Sequence, residues 1–182
     1  MNAKTFALIA TAALAPVQAG EFLLETDPAT FAMKGGALHL RARFDALPGW
    51  TFGVGAYALD LPSLMVDLVP QNEGEDWNVR IEPGIGLFVD KGFGSDGDGL
   101  TVGGQVSLQR FELDAPKQTE GSVWNLLVMP RAGYVWSPFD NGFYVYPWAG
   151  VGYTTPVSGD EGSYHVAPIV PFATMHVGWR FR

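Results

Sequence analysis

The chain has no cysteine among its 182 residues, which excludes disulfide bridges, thiolate metal sites and a cysteine nucleophile. Charge is also scarce, at 16% of residues, against about 25% in an ordinary soluble domain. The scarcer sign is positive: 11 Lys and Arg stand against 19 Asp and Glu, a formal net charge of −8. That balance argues against a nucleic-acid partner. Beyond the first twenty residues, no apolar run approaches the roughly 18 residues of a spanning helix. What the chain does have is 47% hydrophobic residues, 13% aromatics and 23 glycines. Such a composition suits many strands joined by Gly-rich turns better than a helical bundle. The length is sufficient for one domain with a full core or one closed barrel.

The opening "MNAKTFALIATAALAPVQAG" carries Lys4 in a short positive region and an apolar stretch from Phe6 to Ala15. Small residues around Val17-Gln18-Ala19 follow, completing the layout of a secretory signal peptide. Residues 1–19 therefore read as a cleaved signal, and residues 20–182 as a single barrel domain. Removing Lys4 leaves 10 Lys and Arg against 19 Asp and Glu, a net charge of −9 for the exported chain. If that chain lives in a membrane it must do so as a closed barrel, because an open sheet leaves backbone groups unpaired in hydrocarbon.

A period of two, the mark of a strand with chemically different faces, runs through most of the remaining chain. In "ALHLRARF" the row Leu38, Leu40, Ala42, Phe44 opposes His39, Arg41, Arg43. In "WTFGVGAYAL" the row Trp50, Phe52, Val54, Ala56, Ala58 opposes Thr51, Gly53, Gly55, Tyr57. "NVRIEPGIGLFVD" sets Val79, Ile81, Pro83, Ile85, Leu87 and Val89 against a row with Arg80 and Glu82. "LTVGGQVSLQRF" sets Val102, Val106 and Leu108 against Gln105, Ser107 and Gln109. "VWNLLVMPRAGYVW" sets Trp124, Leu126, Val128, Ala132, Tyr134 and Trp136 against Asn125 and Arg131. "FYVYPWAGVGYT" is aromatic on both rows, which leaves its facing open. The closing "PFATMHVGWRFR" places Ala173, Met175, Val177, Trp179 and Phe181 on one row and Thr174, His176 and Arg180 on the other.

These are seven strands, and single-chain bacterial barrels have an even number. Short links at 45–49, 91–99 and 137–142 alternate with longer ones at 60–76, 114–122 and 155–164. Short turns belong on the periplasmic side and long loops outside. "ALHLRARF" must then run inward, and an outward strand must precede it. "GEFLLET", residues 20–26, supplies that eighth strand. Alternation alone does not say which row meets water, since a soluble barrel turns its apolar row inward. The shortage of charge decides the reading: there is too little to cover a soluble exterior, but enough to fill a narrow eight-strand lumen alongside glycine. Trp50, Trp124, Tyr134, Trp136 and Trp179 fall near strand ends, where aromatic girdles belong.

The signal-like start, the alternating strands and the closing "ATMHVGWRF" resemble small eight-stranded outer-membrane β-barrel proteins. The resemblance is architectural and covers about residues 20–182. It implies an all-β, antiparallel up-and-down transmembrane barrel located in the bacterial outer membrane. It also implies that the alternating row Ala173, Met175, Val177, Trp179, Phe181, ending on an aromatic residue, is read by the barrel-assembly machinery. The expected partners are outer-membrane lipid and lipopolysaccharide, with no nucleic acid, no cofactor, no metal and a monomeric state.

Three sets of residues bear on function. In "EGSYH", Glu161, Ser163 and His165 share one face if extended, suggesting an acyl-transfer triad of the kind found in envelope-lipid hydrolases. However, same-face neighbours on a strand stand about 7 Å apart, too far for a Ser–His hydrogen bond. A polar external loop is the favoured reading. The second set is the lumen row: His39, Arg41, Arg43, Arg80 and Glu82, then Gln105, Gln109, Arg131, His176 and Arg180. Unpaired, these cations would line a narrow anion pore; paired with Glu82, Asp90 and Asp45, they would fill a lumen only as wide as its side chains. Filling is the expected outcome. The third is "DLPSLMVDLVPQNEGEDW", where Leu61, Leu64, Met65, Leu68 and Val69 have helix-like spacing, suited to a piece lying on the rim or a lid over the mouth. The "GSDGDG" turn carries two acids, Asp96 and Asp98, but lacks the ligand set of a calcium loop. The favoured function is a structural or interaction role in the envelope without catalysis. The alternatives are a lipid hydrolase, a narrow pore and a soluble periplasmic ligand-binding barrel with its apolar row turned inward.

Overall fold

The computed structural model describes residues 19–95, 97–116 and 118–181. Apart from Ala19, the expected signal segment lies outside the described residues, as does Asp96. Eight strands follow in order: β1 (Ala19–Thr26), β2 (Gly36–Phe44), β3 (Trp50–Asp60), β4 (Asn78–Gly92), β5 (Gly99–Asp114), β6 (Gly121–Val135), β7 (Phe143–Asp160) and β8 (Ile169–Phe181). Each pairs antiparallel with the next, and β8 returns to β1, so the sheet is a closed up-and-down barrel. Two short helices, α1 (Pro28–Ala32) and α2 (Ser63–Val66), sit in the first two long connections. Among the described residues, no helix is long and apolar enough to cross a membrane. We call the end with the three short turns the lower end, and the end with the long connections the upper.

Register converts the period of two into rings. One ring runs Leu24, Leu40, Val54, Leu87, Val106, Val128, Tyr153, each opposite the next across the ladder. All seven point outward, with 41–66% of their surface exposed. The adjacent ring runs Leu23, Arg41, Gly53, Phe88, Gln105, Met129 and points inward. Apart from Gly53 its members are buried. A one-residue slip would exchange these two rings, so the pattern specifies register strongly.

The pattern inverts towards the upper end. In β4 the ladder shifts between Ile81 and Gly84, a bulge that leaves Glu82 and Pro83 both outside. Below it, Ile85, Leu87 and Val89 face out as expected. Above it, the expected facing is wrong: Val79 and Ile81 are buried inside, while Arg80 and Glu82 face outward. The bulge adds one residue to one strand and flips every side chain beyond it. Inside, Leu59, Val79, Ile81, Phe111, Leu113 and Val123 form an apolar core with Val66, Trp77 and Tyr164 from the loops. Outside, Arg80 pairs with Asp60 at 2.8 Å and Glu82 at 2.5 Å, and Arg110 pairs with Glu112 at 3.0 Å.

The upper connections are built onto this core. The expected amphipathic piece is the four-residue α2, with Val66 buried and Leu64 and Leu68 exposed. Asn72, 1% exposed, ties this connection to the one between β7 and β8. Its side chain donates to the His165 and Val66 carbonyls at 2.8 and 3.2 Å and accepts from the His165 amide at 3.0 Å. α1 starts at Asp27, whose carboxylate accepts from the Ala29 amide at 2.9 Å and from the Thr174 hydroxyl at 2.8 Å. Asp27 is thus both an N-cap and the tie between α1 and β8, above the point where the β1–β8 ladder ends at Thr26 and Val177.

Candidate functional site: a layered lumen

The lumen has three layers along the barrel axis. At the lower end, Arg43 bonds Glu21 at 2.6 Å and Thr51 at 3.1 Å, and Arg180 bonds Asp98 at 2.7 Å. Both guanidinium groups also donate to the Gly97 carbonyl. Asp98 accepts from the backbone and hydroxyl of Ser137, each at 2.7 Å. Burial pushes the Asp98 carboxyl up, but the bonds from Arg180 and Ser137 outweigh it and hold it below its usual 3.8.

The middle layer is fully buried and crosses the lumen. Asp90 of β4 receives Arg41 of β2 and Arg131 of β6, the latter at 2.7 and 3.1 Å. Arg41 also reaches Glu25 of β1 at 3.0 Å. Glu25 further accepts from Tyr144 at 2.7 Å and from His176 Nδ1 at 2.9 Å. Rings enclose the guanidinium groups: Arg131 lies 5.0 Å from the centroids of both Phe88 and Trp148. Glycine makes the room. A Cβ on Gly55 would fall 1.9 Å from His39 Cδ2, and one on Gly178 2.5 Å from Tyr144 Cζ. Two acids balance two arginines here, and Glu21 and Asp98 balance Arg43 and Arg180 below.

The upper layer is the apolar core, with a cavity of about 110 Å³ between it and the middle layer. Leu59, Ile81, Phe111, Leu127 and Met129 line its walls. His39, His176 and Gln105 line it from the polar layer, and Leu61, Met65 and Ala167 from the loops.

Of the expected lumen residues, His39, Arg41, Arg43, Gln105, Gln109, Arg131, His176 and Arg180 lie inside the barrel, whereas Arg80 and Glu82 lie outside above the bulge. The expected acid partners are corrected in the same way: Asp45 is exposed in the β2–β3 turn and Glu82 pairs outside, while Glu21, Glu25 and Asp98 join Asp90 within. The available signals were Pro83, since proline inside a strand marks a bulge or an edge, and the Glu21, Leu23, Glu25 alternation of "GEFLLET". Tyr144, Tyr146 and Trp148 were also missed, because β7 is aromatic on both rows.

Trp50, Tyr134, Trp136 and Trp179 form an outward belt at the lower end, 39–56% exposed. Trp124 alone sits at the upper end, opposite Arg110. Ala173, Met175, Val177, Trp179 and Phe181 all lie on the outer face of β8. Ser163 and His165 are exposed in the last upper connection, whose hydrogen bonds are made by its backbone to Asp160, Glu161 and Asn72. No hydrogen bond joins Glu161, Ser163 and His165 side chains among the described residues. The ligating atoms of Glu25, His39 and His176 lie within 4.8 Å of one another. This set is engaged in hydrogen bonding: one Glu25 oxygen accepts from Arg41 and Tyr144, and the other meets His176 Nδ1.

No family model and no curated protein matches the chain. Among solved structures, it is similar to the crystal structure of Neisserial surface protein A, at 12% identity and a TM-score of 0.45, over 88% of this chain and 96% of that one. The fold assignment rests on the chain's own closed ladder.

Proposed function

We propose that the protein is a monomeric integral barrel of the bacterial outer membrane, non-enzymatic and closed to ions, with its upper connections as an interaction surface. The outward apolar band carries this reading. In β3 the outward residues from Trp50 to Ala58 are all apolar. At ~3.4 Å per residue and ~40° tilt, those eight steps cover about 21 Å of membrane normal. That approaches the ~25 Å band of such barrels. An aromatic belt bounds the band below and the Asp60–Arg80–Glu82 cluster bounds it above. A soluble monomer rarely exposes an apolar patch beyond a few hundred Å².

The Arg41–Asp90–Arg131 bridge supports closure to ions, since it ties three strands across the lumen in ion pairs. The exposure of Ser163 and His165, with no hydrogen bond joining their side chains to each other or to Glu161 among the described residues, supports absence of catalysis. Outer-membrane lipid and lipopolysaccharide would surround the band, and the outward row of β8 would be the part read by the assembly machinery. The test is electrophoresis of the envelope-extracted protein with and without boiling, followed by planar-bilayer recording. A faster unboiled band from the outer-membrane fraction and no discrete conductance are expected. Recovery in the soluble periplasm would overturn the membrane location, and discrete openings would overturn the closed lumen.

A further inference from the structure

The cavity above the middle layer has a property that the polar network does not explain. Buried polar atoms call for a partner, and among the described residues a few in the lumen lack one, Arg41 Nε and Asn125 Oδ1 among them. His39 Nδ1 and Trp148 Nε1 also have none. Both residues line the cavity, and they are only 4% and 6% exposed. Their rings pack on the same neighbour, His176, at 4.6 and 5.6 Å between centroids. His39 turns Cδ2 and Nε2 against Gly55, which leaves Nδ1 on the other edge of the ring. An unsatisfied buried donor or acceptor is destabilising, and here two residues that line one largely apolar space each carry one.

The geometry points to a binding site for a small, largely apolar molecule no larger than a single aromatic ring bearing one hydroxyl group. The volume sets the size: about 110 Å³ compares with roughly 150 Å³ for an engineered apolar cavity that stays dry and takes up benzene. Leu59, Ile81, Phe111, Leu127 and Met129 supply the apolar contact. The two unpartnered atoms set the polar group. An indole N–H only donates, whereas a neutral imidazole nitrogen without its proton accepts. A hydroxyl satisfies both, accepting from Trp148 and donating to His39. The floor of the site is the charge-balanced middle layer, which gives a net-charged ligand no counterion. The proposal does not require the barrel to lie in a membrane.

The experiment titrates phenol and benzene, by calorimetry, into the full exported chain in lipid nanodiscs, with empty discs as reference. Saturable one-to-one binding of phenol above the empty discs is expected, with benzene at least about fivefold weaker, the size of one neutral hydrogen bond. Trp148→Phe removes the N–H, one of the two partners of the hydroxyl, and should narrow the ratio of the two affinities. Thr154→Phe fills the cavity from β7 without removing a side-chain hydrogen bond and should end saturable binding. Ala37→Leu does the same from β2 if the first variant fails to fold. The unboiled-band shift, recorded on every sample, reports folding and membrane integration separately. No saturable binding of either probe, or unchanged binding in the filled variants, would overturn the site. Equal affinity for the two probes in the unmodified protein would overturn the hydroxyl assignment.

Discussion

The lower and upper parts of this barrel are opposites built on the same eight strands. Below, the lumen is ionic and the exterior apolar: Glu25, Asp90, Arg41 and Arg131 inside, Leu40, Val54, Leu87 and Val106 outside. Above, the lumen is apolar and the exterior ionic: Val79, Ile81, Phe111 and Leu113 inside, Asp60, Arg80, Glu82 and Glu112 outside. The upper part is organised as a soluble barrel, with its apolar residues turned away from water. The lower part has the opposite arrangement, which on the proposed membrane location turns its polar residues away from hydrocarbon. A strand satisfies both solvents only by changing which row is polar along its length. β4 does so at the Glu82-Pro83 bulge, while β5 does so by composition alone, passing from Gln109 to Phe111 on its inner row.

The comparison is broken most severely at the centre of the lower lumen. Asp90→Ala leaves Arg41 and Arg131 buried without their shared acid, and removing one partner of a buried pair costs about 3–5 kcal/mol. Urea unfolding in micelles should show that loss, and an unchanged midpoint would mean the network contributes little. The outer face gives the next largest effect. Val54→Arg, at the middle of the apolar band of β3, should cost about 2–4 kcal/mol in bilayers. Asn78→Arg, exposed above the bulge and opposite Asp114, should cost only about 0–1 kcal/mol. Equal costs would remove the distinction between the two regions. The smallest effect is at the lower turn. Asp98 has its carboxyl held below 3.8 in the folded state, so its stabilising bonds to Arg180 and Ser137 are present above that pH. They are lost as pH falls through the folded value. Asp98→Asn should therefore weaken the fold slightly at neutral pH and flatten the acid limb of a stability-versus-pH profile.

The strand period was legible because it is local: alternation in β2, β3, β5, β6 and β8 names two rows without reference to any neighbour. The count of eight followed from connection lengths, and the shortage of charge gave the outward facing of the apolar row. The candidate site was less legible. Arg41, Arg131 and the acid Asp90 are all named in sequence as lumen residues, but that one acid serves both arginines, 49 and 41 residues away, follows only from closure of the barrel. Glu25 meets Tyr144 and His176 across 119 and 151 residues. β7 carries aromatic residues on both faces, and only closure against β6 and β8 turns Tyr144, Tyr146 and Trp148 inward.

The sequence by itself determined the strands, their two rows and the solvent that each row can tolerate over the lower barrel. Hydrophobic periodicity and the cost of burying charge act residue by residue and need no partner to be read. Only the tertiary structure decided where the rows exchange roles, which acid meets which arginine, and where the apolar cavity lies. Those depend on register, and a single bulged residue in β4 moves Arg80 and Glu82 from the inside of the barrel to its surface.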